Sequence, residues 1–274
     1  MPHAPAPEPL LESDSGLPAA RRAIAALAAL GEAFVDLVLP AECAVCAAPG
    51  HRLCAPCRLE LNAALARPFR AEHGAAALPL GPGGVPLPVV AAGRYADALA
   101  AAVLAFKDHH GLHLRAVLGE ALCRSAAVAR LAPDVPEAAH ALLVPVPGGA
   151  AGFRRRGYDP LAELVRALPA PWVVSDAVRA PRGPGRARRA GPSHAGAGSA
   201  QRRRRARRWR PVPGRLPAGA PVLLVDDVLT TGATLGALAE AVRRAGGRPV
   251  GAVVLAAVAP PADDPGPVTG AGVG

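Results

Sequence analysis

Lysine is nearly absent from this chain. Lys107 is the only one, and apart from the eight histidines arginine supplies every other basic side chain. Aromatic residues make up only 3% of the sequence, which rules out a core built on large rings and leaves Val, Leu and Ala to fill it. Such a core favours close packing of helices on a sheet. Long apolar runs are missing too. The most apolar early stretch, Ala23–Leu39, is interrupted by Gly31, Glu32 and Asp36, which is too short and too charged for a bilayer span. The N-terminus lacks a basic region followed by an apolar run and cleavage site, so a cytoplasmic protein without a membrane span is expected.

What is present is unevenly distributed. Hydrophobic residues reach 51%, largely through Ala, and Gly (30) and Pro (32) are abundant. The Pro-rich ends, 1–17 and 260–274, are expected to be disordered. The formal charge is +10, yet Arg179–Arg210 holds twelve arginines and no acid, so the remainder sums to 10 − 12 = −2. The basic character belongs to one segment, expected as a mobile loop, and suggests a local polyanion contact. Because cations elsewhere are Arg, Lys107 stands out as a position where a compact ammonium is wanted in place of a planar fork.

Four of the five cysteines read Cys43-Ala-Val-Cys46 and Cys54-Ala-Pro-Cys57. Each C-x2-C pair forms a tight knuckle, and two knuckles complete a tetrahedral four-thiolate zinc site. Disulfides are disfavoured without an export signal, and in a segment with little core the metal supplies the folding energy. His51, between the pairs, reads as a solvent-facing turn residue and Cys123 as a small buried apolar residue in a helix.

Apolar spacing over 18–39 predicts an amphipathic helix leading into the knuckles, and 18–68 forms one N-terminal zinc module with a short helix at Leu59–Ala66. A Gly/Pro-rich linker is expected at 69–88, followed by a strand at Val89–Tyr95 and helices at Asp97–Phe106 and His113–Leu131. Short strands are expected at Ala141–Val144 and Trp172–Val174, with Asp159-Pro160 opening a helix between them. His109, His110 and His113 read as polar residues around a turn. Pro221–Val225 and Val250–Val258 are continuous apolar runs, the pattern of parallel strands buried on both faces, joined by a helix at Thr234–Arg244.

The first of these runs ends in Asp226-Asp227-Val228-Leu229-Thr230-Thr231-Gly232-Ala233-Thr234. It delivers two carboxylates to the carboxyl edge of a sheet, where open α/β sheets bind ligands. Gly232 permits close backbone approach, the threonine hydroxyls are neutral donors, and amides at a helix start suit a phosphate dianion. Acids beside a phosphate cup fit a phosphorylated sugar, whose vicinal hydroxyls they can accept.

This pattern resembles the signature of type I phosphoribosyltransferases. The order Leu39-Pro40, Cys43–Cys57, Tyr95, Lys107, Val144-Pro-Val-Pro147, Arg154-Arg-Arg-Gly-Tyr158 and the acidic loop is similar to the ComF family over about 18–258. Those are zinc-knuckle proteins with a phosphoribosyltransferase domain, associated with DNA uptake in competent bacteria. Two departures stand out. The family usually has Arg-Gly-Phe-Asn-Gln where this chain has Arg156-Gly-Tyr-Asp-Pro160, and its mobile loop usually has a Gln followed by an Arg-Asn segment, whereas here Gln201 is present but Arg207-Arg208-Trp209 offers no Asn.

The resemblance implies a parallel sheet flanked by helices at 89–259 with a small four-cysteine zinc module before it. It also implies phosphoribosyl pyrophosphate or a nucleotide as ligand, magnesium as its companion, and a pyrophosphate loop at Pro145–Gly157. Asp226, Asp227, Lys107 and Arg156 become candidate catalytic groups; Asp226, Asp227 and Leu229–Thr234 become the ligand-binding set. Three readings compete: a magnesium-dependent phosphoribosyltransferase with an unidentified acceptor; a DNA-uptake protein that binds the same ligand, which is the favoured one; and an Arg run that reflects only biased composition in a disordered insert. In the second, the Arg loop contacts single-stranded DNA through phosphates, and proteins of the uptake machinery are partners. Trp209 is the only aromatic in that loop for base stacking.

Overall fold

The computed structural model describes residues 42–108, 111–132, 134–166, 168–169, 172–180 and 209–258. The expected helix at 18–39, both terminal stretches, His109, His110, Gln201 and Arg202–Arg205 lie outside the described residues. Two compact units can be separated. One takes in residues 42–43 and 47–52, and the other residues 44–46 and everything described from Leu53 onward. In the first, Glu42 bridges Pro49, and Ala47, at φ +59°, donates its amide to the Cys43 carbonyl at 2.8 Å.

The second unit is organised on strands β1 (Phe69–Arg70), β2 (Val89–Arg94), β3 (Leu142–Pro145), β4 (Val178–Arg179), β5 (Arg210–Pro211), β6 (Pro221–Leu229) and β7 (Arg248–Ala257). Five of them form one sheet in the order β1-β2-β7-β6-β3. Here β2, β7, β6 and β3 are parallel to their neighbours and only β1 runs antiparallel, so four carboxyl ends share one edge. The separate β4–β5 ladder pairs Arg179 with Arg210, closing the base of the Arg-rich segment.

The helices are α1 (Ala55–Ala64), α2 (Asp97–Asp108), α3 (Arg115–Arg130), α4 (Ala150–Arg156), α5 (Pro160–Arg166) and α6 (Ala233–Arg244). Strand alternation splits the core into two layers. Leu223, Val225, Val253 and Leu255 join Phe106, Leu118, Leu122 and Leu164 from α2, α3 and α5. Val222, Leu224, Ala252 and Val254 pack instead with Leu235, Leu238 and Val242 of α6. The near-continuous apolar β6 and β7 are therefore buried on both faces, and burying each Leu contributes about 1.5–3 kcal/mol.

Some local expectations shift. The first helix begins at Ala55, four residues early, because Pro56 suits a first turn. Trp172–Val174 makes only a bridge from Val174 to Leu143; the Leu143 amide reaches the Val173 carbonyl and the Ser175 amide the Leu143 carbonyl. Residues 69–88, expected as a linker, contribute β1 and bury Leu78 and Leu87. Glu72 anchors that segment, accepting from Arg70 at 2.8 Å and from the Val89 amide at 3.2 Å. Trp209, considered above for base stacking, is 8% exposed and packs in the α6 layer, which removes it as a stacking surface. Cys123 is half-buried on α3, and no helix among the described residues is long and apolar enough to cross a membrane.

Candidate functional site

Strand β6 outruns its neighbour. Pro145 of β3 pairs with Val225, the Val146 amide still reaches the Val225 carbonyl at 2.8 Å, and β6 then continues to Leu229 with β7 alone. Asp226 and Asp227 are the first residues past the point where β3 leaves, so backbone divergence opens a cleft beside them. It has a volume of about 180 Å³ and is lined by Lys107, Val146, Gly148, Arg156, Asp159–Leu161, Asp226 and Asp227.

The two acids sit differently. Asp226 is buried, and its Oδ1 accepts the Asp227 amide at 2.8 Å. Asp227 is 29% exposed and forms an ion pair with Lys107, Oδ1 to Nζ 2.8 Å. Period-two alternation puts Asp227 on the face of Leu223 and Val225, the one that α2 covers, so α2 can bring Lys107 to it. Burial pulls the Lys107 ammonium downward in pKa, but the charge and hydrogen bond of Asp227, with Asp226 behind it, outweigh this and leave it above its ordinary 10.5. The exceptional lysine of the sequence is therefore held charged beside the acidic pair.

A second cation comes from α4. Arg156 is half-buried, and its guanidinium lies so close over Gly152 that a Cβ there would meet Nη2 at 2.6 Å. Arg154 and Arg155, by contrast, are exposed. Gly157, at φ +78°, ends α4 with its amide on the Phe153 carbonyl at 2.7 Å and reverses the chain. Beyond it Tyr158 donates its hydroxyl to the Phe106 carbonyl at 2.7 Å, and Asp159 heads α5. The Asp159 carboxylate accepts the Ala162 amide at 3.4 Å through one oxygen and the Gly148 amide at 3.1 Å through the other. A Cβ on Gly148 would meet that carboxylate at 2.1 Å, so a larger residue there would push the Asp159 side chain away from the loop after β3.

The turn after β6 is built as a cup. Gly232 stands at φ +81°, with the Gly236 amide on its carbonyl at 2.8 Å, and it opens α6. Thr231 Oγ1 accepts the Ala233 amide at 3.4 Å. From behind, the Ala77 amide holds the Thr231 carbonyl at 2.8 Å, and Leu78 packs so tightly that a Cβ on Gly232 would lie 2.7 Å from its Cγ. Leu229 and Ala233 bury their side chains, so they can offer a ligand only main chain, whereas Thr230, Thr231 and Thr234 are half-buried.

Lys107, Arg156, Asp226 and Asp227 are thus gathered round one cleft, while Leu229–Thr234 adjoin it along the chain without lining it. Gly148 falls within the loop expected at 145–157, whereas Asp159 was missed as part of this site. Asp159-Pro160 signalled a helix start, but nothing local indicated that the same carboxylate would fasten the loop after β3.

The four cysteines converge as well: the Sγ atoms of Cys43, Cys46, Cys54 and Cys57 all lie within 4.8 Å of one another. Cys46 and Cys54 are 3.7 Å apart. Four thiolates at about 2.3 Å from a tetrahedral zinc are roughly 3.8 Å apart, so the donor set fits zinc in number, chemistry and spacing.

A model of the phosphoribosyl transferase domain matches residues 151–266. That stretch contains Arg156, both acids, the Gly232 turn, α6 and β7. No curated protein matches the chain.

Proposed function

We propose that the cleft and the adjoining turn bind phosphoribosyl pyrophosphate or a related phosphoribosyl nucleotide, as in a type I phosphoribosyltransferase. One observation carries this reading: a carboxylate pair just past the β3–β6 divergence runs straight into a positive-φ glycine turn and a helix start, within the stretch that matches the phosphoribosyl transferase domain. In it the carboxylates accept the ribose hydroxyls, and the amides and hydroxyls of Thr230–Thr234 hold the 5-phosphate.

Lys107 and Arg156 lie where a diphosphate leaving group would gather charge as the bond to the sugar breaks and the ring becomes oxocarbenium-like. The charged groups lining the cleft are two cations and three carboxylates, a net of 2 − 3 = −1. A bare diphosphate is unwelcome there, which supports its arrival with magnesium, an ion that keeps to phosphate and carboxylate oxygens and neutralises leaving-group charge. Zinc in the four-thiolate cluster has a structural role, and thiolates kept reduced for it suit a cytoplasmic protein.

Calorimetric titration of the whole protein with phosphoribosyl pyrophosphate, with and without magnesium, tests the reading directly. Magnesium-dependent binding is expected, and turnover with a panel of bases and amines would then reveal transfer. No binding of either phosphoribosyl pyrophosphate or ribose 5-phosphate would overturn it.

A second reading concerns what the pocket serves. The concentration of twelve arginines without an acid in 179–210, together with the ComF-like order of motifs, favours DNA uptake, with single-stranded DNA held through phosphates. Replacing Arg202–Arg205 with Ser should weaken single-stranded DNA binding and flatten its salt dependence. Unchanged affinity and slope would remove the segment as a DNA contact.

A further inference from the structure

The charged cleft draws its two cations from different elements, Lys107 from α2 and Arg156 from α4, and one side chain ties those elements together. Tyr158 follows Gly157 directly, so the left-handed turn that ends α4 after Arg156 also sends Tyr158 back onto α2. Its hydroxyl donates to the Phe106 carbonyl at 2.7 Å, and its ring meets the Phe106 ring edge-on, centroids 6.4 Å apart and planes at 65°. Phe106 immediately precedes Lys107. The carbonyls of a last helical turn lack intrahelical partners, and here the Ala105 carbonyl takes the Gly111 amide while the Phe106 carbonyl takes the tyrosine.

We propose that Tyr158 is a positioning residue: its hydroxyl on the Phe106 carbonyl fixes the last turn of α2 and so holds Lys107 at Asp227, in register with Arg156 two residues before it. Tyr158 would not touch the ligand. It acts through the placement of Lys107, and its effect on ligand affinity rests on the phosphoribosyl reading above, whereas its effect on Lys107 does not.

The lone lysine makes the placement measurable. Reductive methylation with carbon-13 formaldehyde labels Lys107 and the terminal amine only, and the latter titrates far lower, near about 7.7–8. The groups that set the Lys107 titration are Asp227, Asp226 and Tyr95, with Arg156 and Asp159 also lining the cleft. Its titration in Tyr158→Phe, followed by NMR, is expected to move from the raised position of the wild type toward the ordinary lysine value. Asp227→Asn marks the shift for complete loss of the ion pair.

Phosphoribosyl pyrophosphate affinity should fall about three- to tenfold in Tyr158→Phe, the usual range for one hydrogen bond. Tyr158→Leu, which also removes the ring contact, should move both readouts further, and thermal melting would verify that each variant is folded. An unchanged Lys107 titration in folded Tyr158→Phe and Tyr158→Leu overturns the proposal. A shifted titration with no ligand binding by wild type supports the positioning role while removing the phosphoribosyl reading.

Discussion

Removing the acidic pair is the most direct challenge to the site. On the proposed reading each charged hydrogen bond from Asp226 and Asp227 to a ribose hydroxyl would be worth about 1.5–3 kcal/mol, so the double alanine variant should lose roughly 3–6 kcal/mol. At about 1.4 kcal/mol per decade that is a hundredfold to ten-thousandfold weaker binding. The structure divides this loss unequally. Asp227 already holds Lys107 at 2.8 Å, so any hydroxyl must share its carboxylate with an ammonium, and deleting it frees that ammonium for ligand phosphates. Asp226 is buried, and its Oδ1 also orders the Asp227 amide at 2.8 Å, so its removal takes away one carboxylate and loosens the other. Asp226→Ala should therefore weaken binding more than Asp227→Ala, by about tenfold or more. Stability should follow the opposite order. Asp227→Ala strands a half-buried ammonium at about 1–2 kcal/mol, between the worth of an exposed pair and that of a buried one. Calorimetry with phosphoribosyl pyrophosphate and magnesium, alongside urea unfolding of both single variants, would measure the two orders. Equal affinity in wild type and the double variant would refute the pocket reading, and equal single-variant affinities would refute the division of labour.

Protein purified without chelators should contain about one zinc per chain, and Cys43→Ser should lose it while the sheet domain still unfolds cooperatively; metal analysis that finds none would remove the zinc site. Gly232→Ala should cost about 1–3 kcal/mol of stability, because the new methyl meets Leu78 at 2.7 Å in a backbone conformation that alanine adopts reluctantly. A neutral substitution there, by thermal or urea denaturation, would mean that the turn relaxes at no cost and that its shape is not set by Leu78.

The β6–turn–α6–β7 unit was legible because its signals are local: two apolar runs, an acidic pair, a Thr-Gly turn and an Ala/Leu helix follow one another within about forty residues. The four-cysteine cluster was legible for the same reason. Contacts between distant positions were not. Composition labelled 69–88 a linker, yet Leu78 lies against Gly232 and the Ala77 amide against Thr231, contacts that no window of sequence contains. Lys107 was recognisable as an exception, but the identity of its partner depended on strand alternation at Asp227. Val173 and Val174 favour extended backbone, and they adopt it beside β3 without completing a strand. Trp209 sits among arginines in sequence and was read with them, although its ring belongs to the core.

The strand order carries a consequence for how the chain must be made. In β1-β2-β7-β6-β3 the last of the described strands to be synthesised lies in the middle. When β2 leaves the ribosome, the edge that β7 will occupy has no partner until residues 95–247 have followed. At about 5–20 residues per second that interval is roughly 10–30 s. During it the uncharged Val-Val-Ala-Ala-Gly of β2 is an open template for the edge of another chain. The two halves of the sheet, β1–β2 and β3–β6, cannot join before β7 arrives, so nascent chains halted short of Ala257 should be the aggregation-prone species, and assembly should be slow for a domain of this size.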